Sequence, residues 1–459
     1  MSSSTSSSSE DTDRDNGGGG ERDVAVPSSS RPRFSNAVWP EPFVEALATQ
    51  LAIHACITFG RLAAAPALAN FFQVCSTWRA VSRSELLWHN LTRQIWNVVQ
   101  LRRPTWRDEF IFRHRTALNF RTRQYAHTIL HFDPFDNAAA SSSAEVDPDA
   151  RPTCRRLALS DVHLAAGFSD GAVRLFHLQT RLHVTTLRPL VRPRLRLGRF
   201  SSAVSGIVIS HEGSRLVFAT LDGDIHVTTV MDGGTPLRRA HAGDIVRDGA
   251  LVDFTGCDRW WVGIFAGVPE RAFHIWNSES EELLFVGGTL TDPEALIGWH
   301  MLNDVTELVG RIRVSSRETA VACTSLRLII FDLNNQGLIL GESEPRRGIV
   351  VGALDVAGEV YMTVDTRGTA TVRRVDDMTE VCRFNARGVP RRGLLGCINT
   401  GYAFLCAAGA IRVWEVERGG YLYNFWERIG ATNALIADDR HVAASCNHST
   451  IHLWDFGAQ

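Results

Sequence analysis

At 459 residues, 44% apolar and 21% charged, the chain is too apolar to be disordered throughout. It is long enough for about three domains, or for one repeat domain with smaller attachments. Its 48 basic and 50 acidic residues nearly cancel to a net charge of −2, which argues against a global charge built for nucleic acid. The nine cysteines are odd in number and form no C-x-x-C pair, so they indicate neither a disulfide framework nor a zinc knuckle and point to a reducing compartment.

Residues 1–37 are serine-rich, then glycine-rich, with almost no apolar content; such a segment cannot offset its ordering entropy and is expected to be a disordered tail. No secretory signal is read in it. From residue 38 the composition changes, and a helical module is expected over 38–91. Phe43, Leu47 and Leu51 recur at four-residue spacing, and Leu68, Phe71, Phe72 and Cys75, followed by Trp78, form a second face. Pro40 and Pro42 stand where a helix begins. The most apolar window, Leu51–Phe72, carries His54, Arg61, Pro66 and Asn70, which a membrane span tolerates badly. Residues 92–124 are helix-compatible and basic, with a local net charge of +6. Trp96, Trp106, Phe110 and Phe112 interleave with the arginines, as in a connecting helix with its aromatics inward and its guanidinium groups solvated. No known nucleic-acid reader motif is present there. Residues 136–150 read as a loose surface loop.

Beyond about residue 153, short alternating runs repeat. The strand-closing positions 176, 228, 276, 331, 373, 414 and 454 are spaced by 40 to 55 residues. A period near 40 in an all-strand texture predicts a β-propeller of seven four-stranded blades over 125–459. Alternation at Val173/Leu175, Ile411/Val413 and Ile451/Leu453 turns one face of each strand toward a neighbouring blade. Asp170-Gly171 and Asp222-Gly223 supply positive-φ hairpin turns. No single blade can bury both faces, so the ring must close, and Tyr125–Phe132 is expected to add a strand to the last blade. The fold class is therefore α+β multidomain: a small helical module, a basic helical linker and an all-β propeller.

The repeats resemble WD repeats. Trp414-Glu415 and Trp454-Asp455 are similar to the Trp-Asp ending, while the Gly-His that usually opens each repeat is absent. The helical module resembles an F-box. W-P-E-P-F-V-E-A-L (39–47), F-F-Q-V-C-S-T-W-R-A-V (71–81) and S-E-L-L-W-H-N-L (84–91) follow that family's three blocks in order, with Trp39 in place of the usual Leu and a longer alanine-rich middle. The F-box resemblance implies docking to a Skp-type adaptor and through it to a cullin, with Pro40, Phe43, Leu47, Val74, Cys75 and Trp78 as the contact candidates. Beyond the tail, the whole arrangement closely resembles a plant family of F-box regulators. That resemblance implies a nuclear role, with the cytoplasm as a second compartment, in floral organ identity and organ growth, and transcriptional repressors, such as PEAPOD-type complexes, as protein substrates.

Arginine clusters recur ahead of several blades: Arg155-Arg156, Arg238-Arg239, Arg346-Arg347 and Arg391-Arg392, with Arg194, Arg196 and Arg199 at an equivalent place. If these lie on inter-blade loops they form a positive face for an acidic or phosphorylated partner segment, because guanidinium forks hold such groups bidentately. Polar loops in a chain whose only strong base is arginine give the same pattern.

No P-loop or H-E-x-x-H is present, and neither a catalytic residue, a metal nor a cofactor is expected. The leading reading is a non-catalytic substrate receptor of a cullin-type ubiquitin ligase. A nuclear scaffold acting through the propeller alone is the second reading, and direct DNA binding by 92–124 the third. All 48 basic residues are arginine: the chain contains no lysine. Coding bias explains that, as does protection of a ligase subunit from self-modification.

Overall fold

The computed structural model describes residues 39–132, 152–190, 202–210, 214–230, 236–290, 310–386, 393–446 and 450–457. The expected tail, the loop at 136–150 and Arg194, Arg196, Arg199, Arg391 and Arg392 lie outside the described residues.

Five α-helices come first: α1 (Glu41–Phe59), α2 (Ala64–Phe72), α3 (Ser76–Val81), α4 (Glu85–Trp96) and α5 (Trp106–Thr122). Pro40 occupies the N-cap position of α1 without a side-chain bond, and Ser84 and Thr105 cap α4 and α5 by accepting from Leu87 N and Asp108 N. α1 buries its small residues Val44, Ala48 and Ala52 in a core shared with Leu68, Phe71, Leu91 and Trp96, and Ala55 is buried as well. It is apolar and long enough by composition to cross a membrane, yet this alanine face is packed against α2 and α4. The basic stretch 92–124 is not one connecting helix. Asn97 takes a left-handed conformation that ends α4, and α5 restarts nine residues later at Trp106.

Strand β1 (Ala126–Leu130) follows α5. The remaining strands come in fours: β2–β5 (Cys154–Leu159, His163–Phe168, Val173–His177, His183–Leu187), β6–β9 (Val204–Ile209, Arg215–Thr220, Ile225–Thr229, Arg238–His241), β10–β13 (Ala250–Gly256, Trp260–Ala266, Phe273–Asn277, Leu283–Gly287), β14–β17 (Arg311–Val314, Thr319–Cys323, Leu328–Asp332, Leu338–Ser343), β18–β21 (Asp355–Ala357, Val360–Val364, Thr369–Arg374, Glu380–Asn385) and β22–β25 (Leu395–Ile398, Tyr402–Ala407, Ala410–Glu415, Gly420–Asn424). The last three are β26–β28 (Thr432–Ala437, His441–Cys446, Thr450–Asp455). Every closing position of the sequence repeat lies on the third strand of its group. The described strands form five four-stranded sheets and one eight-stranded sheet, in which β6 and β10 are joined by a parallel bridge at Gly206 and Phe254. A Cβ on Gly206 would meet the Phe254 carbonyl oxygen at 1.9 Å, so only glycine admits that approach.

The first strands of successive groups touch in order, β2 on β6, β10, β14, β18, β22 and β26, and β26 returns to β2. The molecule is thus a β-propeller with an N-terminal helical region. β1 pairs antiparallel with β28, from Ala126 opposite Asp455 to Leu130 opposite Ile451. Between sheets the alternating residues interdigitate, as where Ile264 and Ile275 meet Ile312, Ala322 and Phe331. Gly171 and Gly223 sit at φ +84° and +85° in the two Asp-Gly turns.

His274 on β12 is fully buried and stacks on Phe265 at 4.0 Å. Burial pulls its pKa down from 6.5 to about 4. Because the folded value is the lower one, the unfolded chain takes up the proton first. Stability is therefore expected to fall as pH drops through 6.5 and to level off below about 4. In thermal melts across that window His274→Phe should have a flatter pH profile; an unchanged slope counts against this account.

Candidate interaction surfaces

The outward face of α1 carries its large apolar residues. Trp39 stacks on Phe43 at 4.8 Å, Phe43 is 48% exposed, and Leu47 and Leu51 continue the stripe at four-residue spacing. This inverts an ordinary amphipathic helix, in which the bulky side chains face the core. Pro40 and Cys75 are exposed, and Val74 is 63% exposed in the link between α2 and α3. Trp78 is half-buried and stacks on Phe71 at 4.2 Å, so its ring holds α3 to α2.

The helical module and the propeller share a buried junction. Phe120 of α5 stacks on Phe456 at 3.7 Å and on Tyr402 at 5.2 Å, inside the core between β22–β25 and β26–β28. Asn119 donates to the Phe456 carbonyl at 2.8 Å, and the Tyr402 hydroxyl donates to the Ala117 carbonyl at 2.6 Å. Arg61, buried between α1 and α2, lies over Trp96 and Tyr402, and its backbone N–H donates to Glu417. A Cβ on Gly401 would fall 1.3 Å from that guanidinium. Sequence reasoning missed this junction. Its one local signal was the density of aromatics around α5.

Four arginines of the basic stretch serve the same contact. Arg102 pairs with Asp161, Arg113 with Asp439 at 4.0 Å, and Arg121 with Glu415 at 3.9 Å. Arg123 lies over Trp426 at 3.3 Å, whereas Arg103 lies over Phe112 at 3.7 Å within the helical region. Each partly exposed pair contributes little, about 0–1 kcal/mol. Together they place positive charge against the acidic turns of one propeller face. A cavity of about 1490 Å³ lies between the 96–103 segment and that face, lined by Val98, Val99, Asp161, Asp258, Asp439 and Arg440, among others.

The expected ring of arginine clusters is corrected by the strand register. Arg155 and Arg156 are not in a loop but inside β2: Arg155 is buried, and Arg156 turns toward the first strands of the neighbouring sheets. Arg156 donates to the Ser205 and Val252 carbonyls and pairs with Asp253 at 3.2 Å. Asp253 also holds Arg313 at 3.0 Å, and Arg313 reaches Asp355 at 3.3 Å. This chain of charges ties the first strands of successive sheets together. Nearby, burial lowers the Arg311 pKa to about 10. Arg238 and Arg239 lie in β9, an outer strand, where Arg238 is held by Glu281 and Arg239 by Asp224 at 2.9 Å. An Arg-Arg pair in a strand sends one side chain to each face, so adjacency in sequence does not place both on a common surface. Arg346 and Arg347 do stand exposed in the turn between β17 and β18, with Arg347 3.8 Å from Asp365.

Among the described residues no group of three His, Cys, Asp or Glu side chains is arranged to hold a metal ion. Burial pushes the Cys154 and Cys323 thiols up to about 12 and Cys406 to about 11, so these sulfurs stay protonated and unreactive near neutral pH.

No protein-family profile matches the chain. The propeller domain of Cps50 (Swd1) from Myceliophteria thermophila is similar at 13% identity, with a TM-score of 0.49 over 66% of this chain and 96% of that one. The fold and its surfaces define a propeller with a docked helical module and an exposed apolar helix face. The transcriptional regulator STERILE APETALA of Arabidopsis thaliana is 58% identical over 438 residues, 94% of this chain and 95% of that protein. The chain belongs to the STERILE APETALA family.

Phe120→Ala is expected to cost about 3–5 kcal/mol at the junction. It should split thermal unfolding into two transitions as the module loosens from the propeller. A single transition at the wild-type temperature would show that the junction carries no coupling.

Proposed function

We propose that this protein is the substrate receptor of a Skp–cullin-type ubiquitin ligase acting on nuclear transcriptional regulators. The observation that carries the reading is the outward apolar stripe Trp39–Phe43–Leu47–Leu51 on α1. Large apolar groups left in water beside a well-packed core of alanines suit a protein partner that desolvates them. Pro40, Val74 and Cys75 extend that surface, and Trp78 supports it from beneath. The module reads as an F-box, and the eight-stranded sheet reads as two WD-like blades, which makes seven blades in all. The protein contributes no catalytic group of its own and acts by proximity, because a rigid junction holds a bound target at a fixed place relative to the adaptor. The relative's name, a transcriptional regulator, supports nuclear targets and a nuclear location.

Phe43 and Leu47 are exposed, so the double variant Phe43→Ala/Leu47→Ala should leave the melting temperature nearly unchanged. It should weaken capture of a purified Skp-type adaptor at least about thirtyfold, as loss of a hot-spot anchor does. Wild-type affinity in the variant would instead favour a nuclear scaffold that works through its propeller without a ligase.

Arg346 and Arg347 are the part of the partner-binding set that the structure leaves exposed on an inter-sheet turn. Reversing them to Glu, together with Arg391 and Arg392, is expected to abolish capture of an acidic or phosphorylated target segment while adaptor capture persists. Target capture unaffected by the four changes would remove this face from the interaction.

A further inference from the structure

Among the described residues, two kinds of arginine can be set against each other. In the first, the fork geometry is used. Arg440 grips Asp455 with two nitrogens at 2.9 and 3.0 Å, and Arg156 reaches two carbonyls and a carboxylate at once. A lysine ammonium, a compact point charge, does not reproduce either arrangement. In the second class, Arg79, Arg83, Arg93, Arg107, Arg367 and Arg428 are exposed, and no described residue engages their guanidinium groups. There lysine matches arginine in charge, in helix propensity and in solvation of the stem. Packing explains the absence of lysine from the first class and not from the second, yet lysine is absent from both.

The remaining difference between the two side chains is chemical. A lysine ε-amine has a pKa near 10.4, so a small fraction is neutral and nucleophilic at neutral pH, whereas guanidinium stays protonated and does not attack carbonyl carbon. We propose that the surface is kept free of ε-amines so that the receptor does not accept the acyl group its own ligase transfers; this rests on the ligase reading above. In that transfer an amine nitrogen attacks the carbonyl carbon of the ubiquitin thioester. A C–N bond forms, the C–S bond breaks, the thiolate leaves with the electron pair, and the amine proton passes to it or to solvent. The rigid junction sharpens the need. A module welded to the propeller through Phe120, Asn119 and Arg61 presents the same surface groups to the transfer site at every encounter, and fixed geometry raises effective concentration.

The test is the triple variant Arg93→Lys/Arg107→Lys/Arg428→Lys, at exposed, unengaged positions outside the proposed contact residues. The full chain is reconstituted with a Skp-type adaptor, cullin, RING subunit, ubiquitin and the activating and conjugating enzymes. Adaptor capture and melting temperature should match wild type, and mass spectrometry should find isopeptide-linked ubiquitin at the new lysines, with no such linkage on the wild-type chain. The proposal is overturned if the assembly builds ubiquitin chains while the variant stays unmodified, or if wild type is modified as heavily through other side chains. Failure of the wild-type chain to capture the adaptor overturns the ligase reading and this inference with it, an outcome distinct from active assembly without self-modification.

Discussion

The pairing of β1 with β28 holds the molecule together. A propeller blade exposes two apolar faces and is stable only between neighbours, so the ring depends on its last sheet being completed. Here the completing strand comes from the other end of the propeller, directly after α5. The same dozen residues therefore close the ring and anchor the helical module. Phe120, Asn119 and Tyr125 pack on or bond to the stretch around Phe456 that follows β28. Loss of the clasp costs both the ring and the placement of the module.

This joint arrangement governs what the surfaces are able to do. The helical module meets one propeller face through acidic turns and arginines, leaving the outward side of α1 and the opposite face, where Arg346 and Arg347 stand, open in different directions. Two separated surfaces on one rigid frame suit a bridging protein. Four arginines of the 92–124 stretch, Arg102, Arg113, Arg121 and Arg123, reach the propeller and help make that frame, while Arg93 and Arg107 face solvent.

The repeat was legible because strand alternation and turn chemistry are local. Val173 and Leu175, Ile451 and Leu453, and the glycines of the Asp-Gly turns all do what period-two patterning and positive φ require. The helical character of the module was legible for the same reason; a surface role for Phe43 and Leu47 came from the F-box resemblance and not from their spacing. The arginine clusters misled because Arg155-Arg156 belong to the first strand of a sheet and Arg238-Arg239 to an outer strand, not to the loops ahead of a blade, so strand register decides where each side chain goes. The junction around Arg61 and Phe120 was invisible, since its partners Glu417, Tyr402 and Phe456 are separated from them by roughly three hundred residues.

The sequence by itself determined the local periods: which stretches coil, which extend, where they turn, and that every strong base is arginine. These depend on neighbours a few residues apart. Only the tertiary structure decided which arginines are spent inside the protein and which face water, and that α5 is anchored to the propeller beside its closing strand. Those outcomes depend on pairings between distant segments, whose energies enter only once the ring has formed and brought them within bonding distance.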